Sequence, residues 1–308
     1  MKQQSFASLS YRNKKKQTRR EKFLSEMDQV VPWSRLLKRL APFYPQAATG
    51  RKRIGLEVQL RIYLLQQWYG LSDPAAEEAL YDIESMRRFA GLELNVNAIP
   101  DETTILNFRH RLEANELTSV LFEEVKGFLE ERKLLLSAGS ILDATIIHAP
   151  SSTKNRDKQR DPEMSSTIKG NDWHFGMKTH ISVDAQSGLT HTVGATTAKV
   201  IEELIREMDQ AIFADEGYVS DQKKKEARYA GIFRGILDKA RPRKRLSASQ
   251  KRRNKKLSSI RAKVEHPFRV LKCQFGYRKT HYRGIKKNGA QLFSLFALVN
   301  LYQARKQL

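Results

Sequence analysis

The sequence predicts a mixed α/β fold, a mixed sheet with flanking helices, preceded by an all-helical N-terminal region. Three observations carry this. Apolar residues recur at helical spacing from Leu56 to about Leu136. The period then changes to strand-like alternation, first in "GSILDATIIHA" (residues 139–149). Strand and helix patterns alternate from there, and the chain closes on two helix candidates. A length of 308 residues exceeds the usual single core, so two domains are expected. We expect a basic flexible arm over residues 1–22, a helical region over 23–136 and a mixed α/β region with a basic C-terminal part over 137–308.

The elements follow in order. Phe23 to Leu40 carries Val30, Val31, Trp33, Leu36, Leu37 and Leu40 at helical spacing, and "APFYPQ" ends the pattern with two prolines. "LEVQLRIYLLQQWYG" predicts a helix closed by Gly70. Ser72 or Asp73 with Pro74 opens the next, "PAAEEALYDIESMRRFAGL", read as one helix up to Gly91. "IPDETTILNFRHRLEANEL" opens with Asp101 as the expected N-cap, and "LTSVLFEEVKGFLEERKLLL" completes the region. Short helices joined by tight turns suit a helix-turn-helix DNA-binding region, and equally a plain helical bundle. In the third of these helices, Thr103, Thr104, Asn107, Arg109, His110 and Arg111 form a polar and basic set. Such a set suits contact with base edges and phosphates, and it also suits a solvated helix face.

Beyond the first strand, residues 150–172 read as a long polar loop. "WHFGMKTHISVDAQSGLTHTVGATTA" reads as a hairpin turning at "DAQSG". "KVIEELIREMDQ" is a short amphipathic helix, and "AIFADEGY" a strand ending in an acid. A basic, poorly patterned stretch runs from Val219 to about Ser258. Helix candidates "SIRAKVEHPFRVLKCQFGY" and "GAQLFSLFALVNLYQARKQL" end the chain.

Composition narrows the function. Fifty-six Lys and Arg against 34 Asp and Glu give a net charge of +22. From Gln222 onward there are 26 basic residues and three acids, Glu226, Asp238 and Glu265. That field attracts polyanions, nucleic acid first. No apolar run approaches the ~20 residues of a membrane span, and the basic N-terminus lacks the apolar core of a secretory signal. A cytosolic protein without membrane association is expected. Cys273 is the only cysteine, which excludes internal disulfides and thiolate zinc clusters. His148, His174, His180, His191, His266 and His281 lack the close spacing of a structural zinc site. Trp33, Trp68 and Trp173 are read as core or interface residues.

Three acids are candidates for chemistry. Asp143 interrupts the apolar strand "ILDATIIHAP", sharing a face with Ile141, Thr145 and Ile147. Asp215 ends "AIFAD", at the carboxyl edge of a strand, where ligands commonly bind in α/β sheets. Glu265 lies on the helix candidate at residues 259–277. Ile260, Val264, Phe268 and Leu271 form its apolar stripe, and Arg261, Glu265 and Lys272 a polar ridge alongside; Pro267 is expected to kink it. Converging carboxylates repel unless a cation neutralises them, so one reading is a divalent-metal site for phosphodiester chemistry. The other pairs each acid separately: Asp143 with His148 or a lysine, Asp215 in a turn, Glu265 with Arg261.

At these residues the chain resembles the DDE transposases of bacterial insertion sequences, in the IS5-like branch of the IS4 superfamily. The segments that carry the resemblance occur in that group's order: "QTRREKFLSEMDQVVPW", "LQQWYGLSDPAAEEALYDIESMRRFAGL", "IPDETTILNFRHRLE", "ILDATIIHAPSSTKNRDKQRDPEM", "GNDWHFGMKTHISVDAQSGL", "FADEGY" and "RAKVEHPFRVLKCQFGY". The resemblance implies an RNase H-like core with Asp143, Asp215 and Glu265 as catalytic metal ligands. It implies two Mg²⁺ ions, with Mn²⁺ a possible substitute, and places Arg261 and Lys272 on DNA phosphates. It further implies cleavage of terminal inverted repeats, joining of the freed 3′-hydroxyl to target DNA, a homodimer in synapsis and a bacterial, nucleoid-associated location. Ser258 stands where the group has Tyr, Lys199 and Glu202 where it has Asn and Asp, and Ser220 where it has Gly. Two other functions fit the residues: a Mg²⁺-dependent DNA nuclease without strand transfer, and a non-catalytic protein that binds element ends.

Overall fold

The structure, a computed structural model, describes residues 14–45, 53–136, 139–156, 158–196, 206, 209–214, 233–238 and 245–308. Helix α1 spans Arg19–Val30 and thus begins inside the stretch expected to be a flexible arm. The reason is a capping box: the Thr18 hydroxyl accepts the Glu21 N–H, and the Glu21 carboxylate accepts the Thr18 N–H. Pro32 separates α1 from α2 (Trp33–Leu40), so the apolar run from Phe23 to Leu40 makes two helices. Helix α3 (Leu56–Tyr69) stops at Gly70, whose φ of +62° costs little without a Cβ. Ser72 caps α4 (Asp73–Asp82).

The single helix expected up to Gly91 is divided at Ile83, which is extended, giving α5 (Glu84–Phe89). Arg87 stabilises the break by donating to the Leu80 and Tyr81 carbonyls at the end of α4. Asp101 caps α6 (Glu102–Ala114) by accepting the Thr104 N–H at 2.7 Å, as the sequence predicts. Helix α7 is Leu117–Glu131.

The sheet contains β1 (Ser140–His148), β2 (Ser165–Lys169), β3 (Asp172–Asp184), β4 (Thr190–Thr196), β5 (Ala211–Ala214) and β6 (Phe233–Ile236). Its order is β2-β3-β1-β5-β6, with β4 also on β3. Strand β1 is antiparallel to β3, whereas β5 runs parallel to β1 and to β6, so the sheet is mixed, as an RNase H-like fold requires. Strand β2 lies inside the predicted polar loop, and β6 inside the stretch read as unpatterned. Both are short, and their side chains alone do not show a strand period.

The predicted β3–β4 hairpin is present. Asp184 closes it by accepting the backbone N–H groups of Gln186 and Ser187.

After the sheet, α8 (Ala248–Arg261) opens on a second capping box, Ser247 with Gln250, well before the helix expected from residue 259. A 3₁₀ turn (Ala262–Val264), α9 (Glu265–Arg269) and a π-helical turn (Val270–Gln274) follow. Pro267 therefore sits in the first turn of α9, where a missing N–H leaves no bond unmade, rather than kinking a longer helix.

Helix α10 (Ile285–Ala304) packs on β4, α7, α3 and α1 and is buried on most sides. Asn300 accepts the Thr190 N–H and donates to the Thr190 carbonyl, tying α10 to β4. Tyr63 and Ser294 hydrogen-bond at 2.8 Å on its other side. One continuous apolar core thus runs from the N-terminal helices through α10 to the sheet. Among the described residues no helix is long and apolar enough to cross a membrane.

Candidate functional site

Strand period places Asp143 and Thr145 on one face of β1. The two are half-buried, between Ile141 and Ile147, each fully enclosed. The segment from Arg261 to Lys272 covers that face. Its 3₁₀ turn packs on β1 and β3. The apolar stripe inferred for it is real, since Val264, Phe268 and Leu271 are buried.

Two lysines fasten this segment down. The Lys272 ammonium donates to Thr145 Oγ1 at 2.6 Å and to the Ile146 carbonyl at 2.9 Å. The Lys263 ammonium donates to the Ala185 and Gln186 carbonyls of the β3–β4 turn at 2.8 and 3.0 Å. Three donors on each ammonium suit such multi-point anchoring. Lys263 was not anticipated from the sequence. A lone lysine beside a polar ridge carries no signal of its distant carbonyl partners.

Asp143 accepts the Ala144 N–H through Oδ1 at 2.8 Å. Glu265 is exposed at the junction of the 3₁₀ turn and α9. Arg261 is half-buried, and its Nε has no hydrogen-bond partner among the described residues. A buried guanidinium donor left unpaired is unfavourable, and an incoming carboxylate or phosphate oxygen would satisfy it.

Asp215 lies outside the described residues. Strand β5 is described to Ala214, and Ser140↔Ile212 and Ile141↔Phe213 set its register on β1. No group of three His, Cys, Asp or Glu side chains that could hold a metal occurs among the described residues. The donor chemistry of Asp143 and Glu265 nevertheless fits a hard divalent cation, because both offer carboxylate oxygens. Lys199, Glu202 and Ser220 also fall outside the described residues, and Ser258 is an exposed residue of α8.

The polar set of α6 divides into two. Thr104, Asn107 and Arg111 line a groove of about 380 Å³ with Tyr44, Arg53 and Gln59. Thr103 and Asn107 are exposed. Arg109 does not belong with them. It is 7% exposed, donates to Asp73 at 2.8 Å and Glu113 at 3.0 Å, and lies over the Tyr282 ring at 4.5 Å. Burial would lower its pKa, but its hydrogen bonds to the Asp73 and Glu113 carboxylates hold it above the usual arginine value. The expectation that Arg109 contacts DNA is therefore corrected: both partners and an aromatic ring enclose it. Helical arithmetic could have separated it. At 100° per residue Arg109 falls about 40° from Ile105, within the apolar stripe, whereas Thr103, Thr104, Asn107 and Arg111 fall at about 160–260°.

Comparison with known families decides the identity. Residues 12–111 match a transposase domain (DUF772), and residues 136–301, more than half of the chain, match the transposase DDE domain. The chain belongs to the DDE transposase family. No solved structure matches it. As a member, this transposase belongs with DNA-binding, DNA-transposing enzymes of insertion sequences that use divalent metal ions.

Further along β1 in the transposase, His148 meets the ring of His174 at 5.0 Å between centroids. Burial, then His174, Lys272 and Lys279, push its pKa down. At the opposite end of β1, Ser140 donates to Asp209 at 2.5 Å and bonds His191 Nε2 at 2.7 Å; Ser182 bonds the same nitrogen at 3.1 Å. Burial, then Arg206 and Lys126, lower the His191 pKa to about 3. This enclosed serine–histidine–aspartate group has no access to a substrate: Ser140, His191 and Asp209 are at most 2% exposed. It is a packing network of the transposase core.

Proposed function

We propose that this transposase cuts the terminal inverted repeats of its element and joins the freed 3′-hydroxyl to target DNA, using Asp143, Asp215 and Glu265. Water attacks the end phosphorus, the P–O3′ bond breaks, and the 3′-oxygen leaves as a hydroxyl. That hydroxyl then attacks a target phosphorus and expels the target 3′-oxygen; the first step spends one phosphodiester on water, and the second makes one for the one it breaks. Two Mg²⁺ ions, or Mn²⁺ in their place, would supply Lewis-acid charge for both displacements. Asp143 and Glu265 would be ligands, with Asp215 as the third. Arg261 would grip a phosphate oxygen through its guanidinium, whose Nε has no partner among the described residues.

The observation that carries this reading is the seating of the Arg261–Lys272 segment on the face of β1 that bears Asp143, through Lys272 on Thr145 and Ile146. Lys272, held from its π-helical turn onto Thr145 and Ile146, would offer its charge on the Asp143 face where a phosphate would arrive. Thr104, Asn107 and Arg111, with Arg53 and without Arg109, form the face for the element end, joined by exposed Thr103 of the same helix. Two ends must be held together, and a homodimer on DNA does so.

The test is cleavage and strand transfer on duplexes from the DNA flanking the reading frame, with Mg²⁺ and with Asp143→Asn as the control. Mg²⁺-dependent cleavage by the natural chain, abolished in Asp143→Asn, is expected. Cleavage that survives the substitution refutes the site. Binding by both forms with cleavage by neither means a protein that binds ends without cutting, and cutting without joining means a nuclease.

A further inference from the structure

Strands β2 and β3 form a ribbon that outruns the sheet. Pairing of β1 with β3 ends at His148↔Gly176, and pairing of β4 with β3 ends at Thr196↔Lys178. Among the described residues Asp172–His174 therefore pair with β2 alone. The ribbon turns tightly through Gly170, with φ +66°, and Asn171. Just behind the turn, Ile168 and Trp173 stand directly opposite each other. Their exposure is 55% and 70%, whereas Trp68 is 2% exposed. A paired Ile and Trp held in water at the end of a projecting ribbon serves no packing purpose in the monomer. Of the two readings of Trp173, core or interface, this exposure excludes the core.

The surroundings indicate the occupant. On the Trp173 face, Phe175 lies under the Arg160 guanidinium at 5.4 Å. Toward Asp143 the track continues through Lys272, which is anchored on Thr145 of the same face. An apolar tip in a cationic setting, on a chain of net charge +22, suits a partner with an anionic exterior and an aromatic interior, which is duplex DNA. Spacing agrees. Asp143 pairs with Ile181, eight residues from Trp173 along β3, or about 26 Å at ~3.3 Å per residue. That length corresponds to about eight base pairs at ~3.4 Å each.

We propose that Ile168 and Trp173 form a wedge that presses into a base step of duplex DNA, about eight base pairs from the phosphate held at Asp143. The inference rests on the transposase reading for the position of the DNA, and it does not depend on the chemistry.

The experiment uses the full chain on duplexes of about 30 base pairs from the flanking DNA, with 2-aminopurine placed at successive positions. Unstacking raises its fluorescence. We expect a rise of at least about threefold at one or two adjacent positions. Trp173→Ala should abolish the rise while binding stays within about tenfold at low salt, and Trp173→Phe should restore it. Acrylamide should quench tryptophan emission in the free protein and much less in the complex. Asp143→Asn should keep the full fluorescence rise even though its cleavage is lost, so failure of the wedge and failure of the active site are read separately. A bound natural chain with no rise at any position overturns the wedge. So does a Trp173 already shielded from acrylamide in DNA-free protein that sediments as a dimer, which would make the pair a contact between copies.

Discussion

Replacing Arg109 with methionine tests directly whether this residue is a staple of the fold or a DNA contact. The substitution keeps most of the side-chain volume and removes the charge. Two charge-assisted hydrogen bonds disappear, to Asp73 at 2.8 Å and Glu113 at 3.0 Å, together with the stacking on Tyr282. Two carboxylates are left facing each other with side-chain exposures of only 17% and 15%. Breaking a buried pair from one side costs about 3–5 kcal/mol. Partial hydration of both acids places Arg109→Met near the lower bound, at about 3 kcal/mol. For a chain of 308 residues the unfolding entropy is about 0.65 kcal/mol/K near the midpoint. The expected fall in Tm is therefore about 5 °C, read by calorimetry or by loss of far-ultraviolet ellipticity. Adding Asp73→Asn to Arg109→Met should cost less than the two single changes summed, because the second removes a charge that the first has stranded. A variant within about 0.5 kcal/mol of the natural chain, but with DNA affinity reduced tenfold and one fewer counterion released, would refute the staple and restore the DNA contact.

Two further outcomes follow from the core. A Cβ on Gly176 would lie 2.0 Å from the Ile147 carbonyl oxygen, so Gly176→Ala must push β1 and β3 apart beside His148; a loss of more than about 3 kcal/mol in urea unfolding is expected, and a neutral substitution would contradict the register described. His191 is neutral when folded down to about pH 3 and takes a proton near pH 6.5 when unfolded, so its contribution is complete above about pH 6.5 and is lost as the pH falls toward 3. Between pH 6.5 and 5 it should account for a slope approaching 1.4 kcal/mol per unit, absent in His191→Gln; parallel stability curves for the two chains would show that the histidine is not held neutral.

Much of the fold was legible locally. Asp101, Ser72 and Gly70 mark helix ends because capping is a contact between near neighbours. The same grammar was available at Thr18–Glu21 and Ser247–Gln250, where the capping boxes set the true starts of α1 and α8. Strand β6, with four residues and a glycine that takes the Phe213 ring against its backbone, has too little pattern to be read without its neighbour.

The site divides along the same line. Asp143 in an apolar strand, the Arg261–Glu265–Lys272 ridge and the basic excess come from residue type and spacing, which depend on the chain alone. So does membership of the family, since the order of motifs is a one-dimensional property. What those side chains touch is not local. Arg109 finds Asp73 across 36 residues and Lys272 finds Thr145 across 127, distances at which sequence spacing carries no geometric information. Helical phase alone sets Arg109 apart from Arg111, but only the packed chain could show which partners enclose Arg109, that Arg111 lines an open groove, and that Trp173 stands in water. Periodicity states which faces a residue can share, and the closure of the core decides which of those faces water still reaches.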